Sequence, residues 1–236
     1  MYDPKKEQWN DDYREGKVLL MDKPLEWTSF DVVKKIRILT GISKVGHAGT
    51  LDPLATGLLI VCTGKFTKKI NEYMAAEKEY TGTFTLGAIT PTYDLESEPV
   101  SHGPFEELTI EDLVKATNSF KGDILQVPPA FSAIKKAGIP AYILARKGKD
   151  VKMEPRKINI AAFDILSMDG PVVHFRVVCS TGTYIRSLAY DFGMAVGSGA
   201  YLSSLRRTRI GQFHVDNAMV IKDFSEQVQL AKTSLP

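Results

Sequence analysis

Twelve consecutive residues, Gly46-His47-Ala48-Gly49-Thr50-Leu51-Asp52-Pro53-Leu54-Ala55-Thr56-Gly57, carry three glycines and a proline among small side chains. Such punctuation is incompatible with a helix or a long strand, and it predicts a shaped loop. Directly behind it, Leu58 to Cys62 is an unbroken apolar run, the pattern of a strand buried on both faces. A loop anchored on a central strand is a rigid place to hold a reactive side chain. Asp52 is the one ionisable carboxyl in it. An Asp-Pro pair is commonly no more than a turn or cap, but the surrounding glycines would let a bulky ligand approach the backbone. A carboxylate held between apolar neighbours can act on a sugar as nucleophile or electrostatic stabiliser.

The flanking sequence reads as a mixed α/β protein. A polar leader, residues 1–16, precedes a short strand at Val18 to Met21, halted by Asp22-Lys23-Pro24. Thr28 and Asp31 form a capping-box signature for a helix whose apolar face is Val32, Val33, Ile36 and Leu39, stopped by Gly41. Thr109 and Asp112 repeat that signature before a second helix. Alternation predicts strands over Glu77 to Leu86, Lys157 to Leu166 and Val172 to Cys179. A helix is expected from Tyr184 to about Val196, a last strand from Arg206 to Phe213, and a short closing helix. Between about 123 and 156 the periodicity weakens under Pro128, Pro129, Gly138, Pro140 and Gly148, with a short helix only over Ala141 to Arg146; this segment reads as an insertion. The expected architecture is one domain over 17–236, α+β, with a largely antiparallel central sheet flanked by helices.

The composition, 44% hydrophobic and 25% charged, is that of a packed globular chain, and the net charge of +2 points to no polyanionic partner. The charge is unevenly placed, however. Lys135 to Lys157 holds eight basic against two acidic side chains, and Pro91 to Asp123 eight acidic against two basic. The basic stretch, which includes Lys135, Lys136, Arg146 and Lys147, is a candidate for phosphate contacts or simply a solvated face. Cys62 and Cys179 lie in apolar runs, without zinc-type spacing, and read as buried thiols of a reducing cytoplasm. No apolar run is long enough to span a membrane.

Nucleotide motifs fail on inspection. Gly64-Lys65 lacks the first glycine and the magnesium-holding hydroxyl of a phosphate-binding loop, and Gly197-Ser198-Gly199 follows an expected helix rather than a strand. The four histidines show no metal-ligand spacing. The reading is of no metal and no organic cofactor.

Gly46 to Leu59 resembles the catalytic motif of the bacterial tRNA pseudouridine synthases of the TruB type. The resemblance extends through Asp22-Lys23-Pro24 with Trp27-Thr28-Ser29, Lys78-Glu79-Tyr80, Gln126 to Lys135, Ser180 to Ala189, Gly199 to Leu202, and Leu205-Arg206-Arg207. It covers roughly Val18 to Phe213. It implies the pseudouridine synthase fold with an inserted RNA-gripping segment. It also implies isomerisation of uridine 55 in the T-arm loop of tRNA by a cytoplasmic monomer, with the base flipped out of the loop. By the same resemblance Asp52 is the catalytic carboxylate, Arg186 its ion-pair partner, and Tyr80 the ring that stacks on the base and can take the C5 proton. Tyr184 and Leu205 line the uracil pocket, and His47 helps hold the flipped nucleotide in the RNA. Many members continue into a C-terminal RNA-binding domain. Here about twenty residues follow Phe213, too few for one. Two other functions fit parts of the sequence: a non-catalytic tRNA-binding module, and a glycosyl-transfer enzyme acting on free nucleosides.

Overall fold

The computed structural model describes residues 8–233. The chain forms two compact units, one from residues 1–78 and 206–236, the other from 79–205, where sequence reading treats 17–236 as one domain. The fold is mixed α/β with a largely antiparallel sheet.

In the first unit, a short helix α1 (Asp11–Glu15) leads into strand β1 (Val18–Lys23), helix α2 (Ser29–Thr40), strands β2 (Val45–Ala48) and β3 (Ala55–Thr63), and helix α3 (Ile70–Ala75). The second unit follows with β4 (Lys78–Leu86), β5 (Ala88–Ile89), β6 (Val100–Ser101), α4 (Ile110–Thr117) and β7 (Gly122–Gln126). The small hairpin β8 (Lys135–Lys136) and β9 (Ile139–Pro140) then precedes α5 (Ala141–Arg146), β10 (Arg156–Asp169), β11 (Val172–Cys179) and α6 (Ile185–Ala195). Strand β12 (Ala200–Ile210) carries the chain back into the first unit, which ends with β13 (Phe213–His214) and α7 (Ile221–Thr233).

Both capping boxes form. Thr28 Oγ1 accepts from the Asp31 N–H at 3.0 Å while the Asp31 carboxylate accepts from the Thr28 N–H at 2.9 Å, and Gly41 closes α2 in the left-handed region. Thr109 and Asp112 do the same for α4. In the first unit the strand order is β1–β3–β12, with β2 on β3 and β13 on β12. Strand β3 pairs antiparallel with β1, Leu20 opposite Ile60, and with β2, His47 opposite Val61. Leu59 and Val61 pack with Val32, Val33, Ile36, Phe224 and Val228 on one side. Leu58, Ile60 and Cys62 pack with Ala48 and Ile210 on the other. Burial on both faces is why this strand is apolar without alternation.

In the second unit the order is β12–β4–β11–β10–β7. Its core is aromatic: Phe84 stacks on Phe175 with ring centres 4.0 Å apart, and Phe163 and Phe192 meet edge to face at 5.3 Å. These residues come from β4, β10, β11 and α6, so the alternation of β11 is an inward face of Val173, Phe175 and Val177.

Four expectations need correction. Residues 1–7 of the polar leader lie outside the described residues, and its remainder packs on the fold: Tyr13 on α1 is buried in the core beside Phe224, and hydrophobic packing of the two aromatics Trp9 and Tyr13 outweighs the polar composition. The twelve-residue loop is only six residues long, because β2 extends to Ala48 and β3 begins at Ala55. The insertion does not start at 123, since Gly122–Gln126 pairs antiparallel with Arg156–Ile160. The last long strand begins at Ala200 rather than Arg206.

Candidate active site

Asp52 sits half-buried in the loop 49–54, between β2 and β3. That loop is pinned from several directions. Ser29, at the start of α2, accepts from the Leu51 N–H at 2.9 Å and donates to the Leu51 carbonyl at 3.2 Å. The Glu26 N–H donates to the Pro53 carbonyl at 2.9 Å. The Ala55 N–H closes a turn on the Asp52 carbonyl at 3.1 Å. From the far side of β3, the wholly buried Arg207 donates through Nε to Leu58 O at 2.7 Å and through Nη2 to Gly49 O at 3.1 Å. The Asp22-Lys23-Pro24 segment supplies a second buried cation. Lys23 Nζ donates to the carbonyls of Pro24, Trp27 and Pro53 at 2.9, 2.5 and 3.3 Å. Burial pushes its pKa down to about 8, with the Asp52 charge opposing the shift and Arg207 adding to it. The carboxylate of Asp52 thus lies in the field of the Lys23 ammonium, on a loop that Lys23 and Arg207 both hold by its backbone carbonyls.

The glycines of this segment serve packing. A Cβ on Gly57, whose φ is +102°, would come within 2.3 Å of the Arg207 carbonyl oxygen, so the absent side chain lets β12 lie against β3. A Cβ on Gly46 would meet Ile70 at 2.8 Å. At Gly57 the close approach is of another strand, and at Gly46 of a helix side chain. His47 lies on β2, and its Nδ1 is buried with no hydrogen-bond partner. Burial and the Arg207 charge depress its pKa, against the Gly49 carbonyl, which favours the charged form.

Tyr80, Tyr184, Arg186 and Leu205 belong to the second unit, together with the basic insertion. Tyr80 is buried on β4 and Leu205 half-buried on β12. Arg186 is 5% exposed in the first turn of α6. It donates to Thr92 O at 3.3 Å and Phe131 O at 3.0 Å, and its Nε lies 3.6 Å from the carboxylate of Asp94, itself buried. Two residues earlier, Tyr184 occupies the N-cap position without a capping side chain of its own. Gln126, 2% exposed at the end of β7, takes over: its Oε1 accepts from the Tyr184 N–H at 2.8 Å and its Nε2 donates to the Tyr184 carbonyl at 3.0 Å. Ser187 donates to Val127 O at 2.8 Å. Of the basic candidates, Lys135 and Lys136 stand on the β8–β9 hairpin and Arg146 and Lys147 at the end of α5. Lys135, Arg146 and Lys147 are exposed, and Arg146 lies 3.7 Å from Glu96.

Sequence reasoning gave no role to Asp94, Gln126, Lys23 or Arg207. In the sequence Asp94 is one charge of an acidic stretch, Gln126 and Lys23 are letters of motifs, and Arg207 belongs to a motif and to a basic cluster. The Asp22-Lys23-Pro24 tripeptide is the signal that could have flagged Lys23, since a lysine ending a buried strand needs carbonyl partners.

The architecture and this pair of residue sets agree with known proteins. Residues 37–185 match the N-terminal domain of the TruB family of pseudouridylate synthases, and residues 186–235 match a tRNA pseudouridylate synthase B C-terminal domain. The chain belongs to the TruB family. Among its TruB relatives, tRNA pseudouridine synthase B of Flavobacterium johnsoniae is 53% identical over 226 residues, covering 93% of this chain and 99% of the relative. That of Phocaeicola vulgatus is 49% identical over 220 residues, covering 91% and 94%. A solved chain from a Cbf5-Nop10-Gar1 complex superposes with a TM-score of 0.74 at 30% identity, covering 98% of this chain and 60% of that one. A chain of an H/ACA RNP bound to a substrate RNA containing 2′-deoxyuridine gives 0.70 at 27%, covering 99% and 61%. This TruB protein is therefore a pseudouridine synthase, an isomerase, of a family that acts on RNA. Among the described residues no helix is long and apolar enough to cross a membrane.

Proposed function

We propose that this chain converts uridine 55 in the T-arm loop of tRNA to pseudouridine, with Asp52 as the catalytic carboxylate. The observation that carries the proposal is the loop 49–54, which holds a half-buried aspartate and is pinned through its carbonyls by two buried cations. A carboxylate fixed to this degree acts without reorganising as the reaction proceeds. The chemistry is redox-neutral and intramolecular. The bond from uracil N1 to the ribose C1′ breaks, the base turns, C5 bonds to C1′, the C5 proton leaves and N1 regains a proton, so no co-reactant is consumed.

In this reading Asp52 acts at the ribose, Arg186 pairs with it, and Tyr80 stacks on the uracil and takes the C5 proton. Tyr184 and Leu205 wall the pocket, and His47, whose pKa burial and the Arg207 charge depress, supports the flipped arrangement. Extruding the nucleotide costs about a few kcal/mol. Contacts from Lys135, Lys136, Arg146 and Lys147 to phosphates offset it. In this reading the insertion comprises 127–155, between β7 and β10, and the enzyme works as a monomer. The two buried thiols, Cys62 and Cys179, unbridged, fit a reducing cytoplasm.

The test is incubation with an unmodified tRNA transcript followed by mapping of pseudouridine. Product at position 55 from the intact chain and none from Asp52→Asn is the expected result. Product from Asp52→Asn at the intact rate would remove Asp52 from the chemistry.

A further inference from the structure

Tyr184 and Arg186 are both placed by the first turn of α6, yet that turn lacks the usual local cap. The N-cap residue is a tyrosine, and the hydroxyl that precedes it, Thr183 Oγ1, is turned back to donate to Ser180 O at 2.9 Å. What fixes the Tyr184 main chain is a side chain from a different element. Gln126 bonds both its N–H and its carbonyl, at 2.8 and 3.0 Å. The same carbonyl accepts the first intrahelical bond, from the Leu188 N–H at 3.1 Å. Gln126 is almost wholly buried and lies at the last residue of β7, immediately before the insertion begins. A primary amide accepts at one atom and donates at the other, and meets both groups of Tyr184 at once. Aliphatic, hydroxyl or carboxylate replacements cannot make both bonds.

We propose that Gln126 is a positioning residue for the isomerisation: it clamps the Tyr184 main chain to the root of the insertion and thereby sets the angle at which the Tyr184 ring meets the uracil. Two hydrogen bonds to the N–H and the carbonyl of one residue hold both peptide units that flank its Cα, and so fix orientation as well as position, which a single cap bond would not. The next bonds along the chain run the same way, Ser187 to Val127 O and Arg186 to Phe131 O, so the first residues of the insertion are stitched to the helix turn that carries the pocket. Gln126 itself touches no substrate. The inference rests on the proposed function for the role of the Tyr184 ring.

The experiment is single-turnover pseudouridine formation with saturating full-length enzyme and unmodified tRNA transcript. It compares the intact chain, Gln126→Met, Tyr184→Leu and the double variant, with tRNA Kd from filter binding. Gln126→Met is expected to slow the first-order rate about tenfold to a hundredfold, the range for misplacement of a positioned group by about 1 Å. The reaction amplitude is expected to stay full and Kd to stay within about threefold of the intact chain. In the Tyr184→Leu background the same change is expected to slow the rate less than about twofold, since the ring it positions is gone. Should Gln126→Met fail to melt cooperatively, Gln126→Glu, which retains the acceptor for the Tyr184 N–H, takes its place with the same expectation. An unchanged rate, an effect confined to Kd, or an equal loss with and without the Tyr184 ring would each overturn the inference. An intact chain that makes no pseudouridine removes the proposed function and the inference with it, whereas a Gln126→Met variant as fast as the intact chain removes the inference alone.

Discussion

Arg186 Nε lies 3.6 Å from Asp94 Oδ2, and both side chains are 5% exposed. The Asp94 carboxylate is not free to turn away, because its Oδ1 also accepts the Glu96 N–H at 3.0 Å. Removing one member of a buried ion pair costs about 3–5 kcal/mol in general. Arg186 keeps its bonds to the Thr92 and Phe131 carbonyls, so Asp94→Ala is expected at the low end, about 3 kcal/mol. Urea denaturation measures it. A loss under 1 kcal/mol would show that the other partners of Arg186 satisfy it without Asp94.

Gly57→Ala is expected to destabilise the chain by more than the same change at Gly122. Both glycines have positive φ, +102° and +82°, and so incur comparable backbone strain of about 1–2 kcal/mol when a Cβ is added. At Gly57 the Cβ would also meet the Arg207 carbonyl at 2.3 Å, while at Gly122 nothing lies within 4 Å. The difference between the two ΔΔG values in chemical denaturation therefore isolates the clash between β3 and β12. Equal values would mean that β12 shifts freely.

These two cases also show where sequence reasoning reached and where it stopped. The helices capped by Thr28 with Asp31 and by Thr109 with Asp112 were readable because every atom involved lies within four residues. The two-faced burial of Leu58 to Cys62 was readable from its missing alternation. The purpose of Gly57 was not, since its reason is the backbone of Arg207, far along the chain. Asp94 and Gln126 were hidden in the same way: each acquires meaning only from α6, and neither stands in a pattern of its own. The inward limit of the insertion was missed because Gly122–Gln126 is an edge strand with exposed Leu125. Half its alternation is lost there.

Lys23 gives stability a distinctive pH dependence. Its pKa falls from the ordinary lysine value to about 8 in the folded chain, so between about 8 and the unfolded value near 10.5 the unfolded state binds more protons than the folded one. Stability from this group therefore rises with pH across that window and is penalised below it. Other groups oppose it at the alkaline end, among them Tyr13 and Tyr93, whose pKa values are raised by burial. The contribution of Lys23 is accordingly read as a difference: from pH 8 to 10 the intact chain is expected to gain stability relative to Lys23→Met. A constant difference between the two denaturation curves would show that the lysine titrates normally.

Most basic side chains of the insertion are exposed. Lys135, Arg146 and Lys147 are exposed, and the Arg146–Glu96 pair at 3.7 Å is long enough for a phosphate to displace it. If Lys135, Lys136, Arg146 and Lys147 each meet one phosphate of the T-arm, each accounts for a slope of about 0.7–0.9 in log Kd against log salt. Replacing all four by alanine is then expected to lower the slope by about 3 and to weaken binding most at low salt. Lys222→Ala, an exposed lysine of α7 that lies 4.0 Å from Glu226, serves as the control and is expected to leave the slope unchanged. A quadruple variant with the intact slope would place the phosphate contacts elsewhere, since loss of folding lowers the active fraction at every salt concentration without changing the slope.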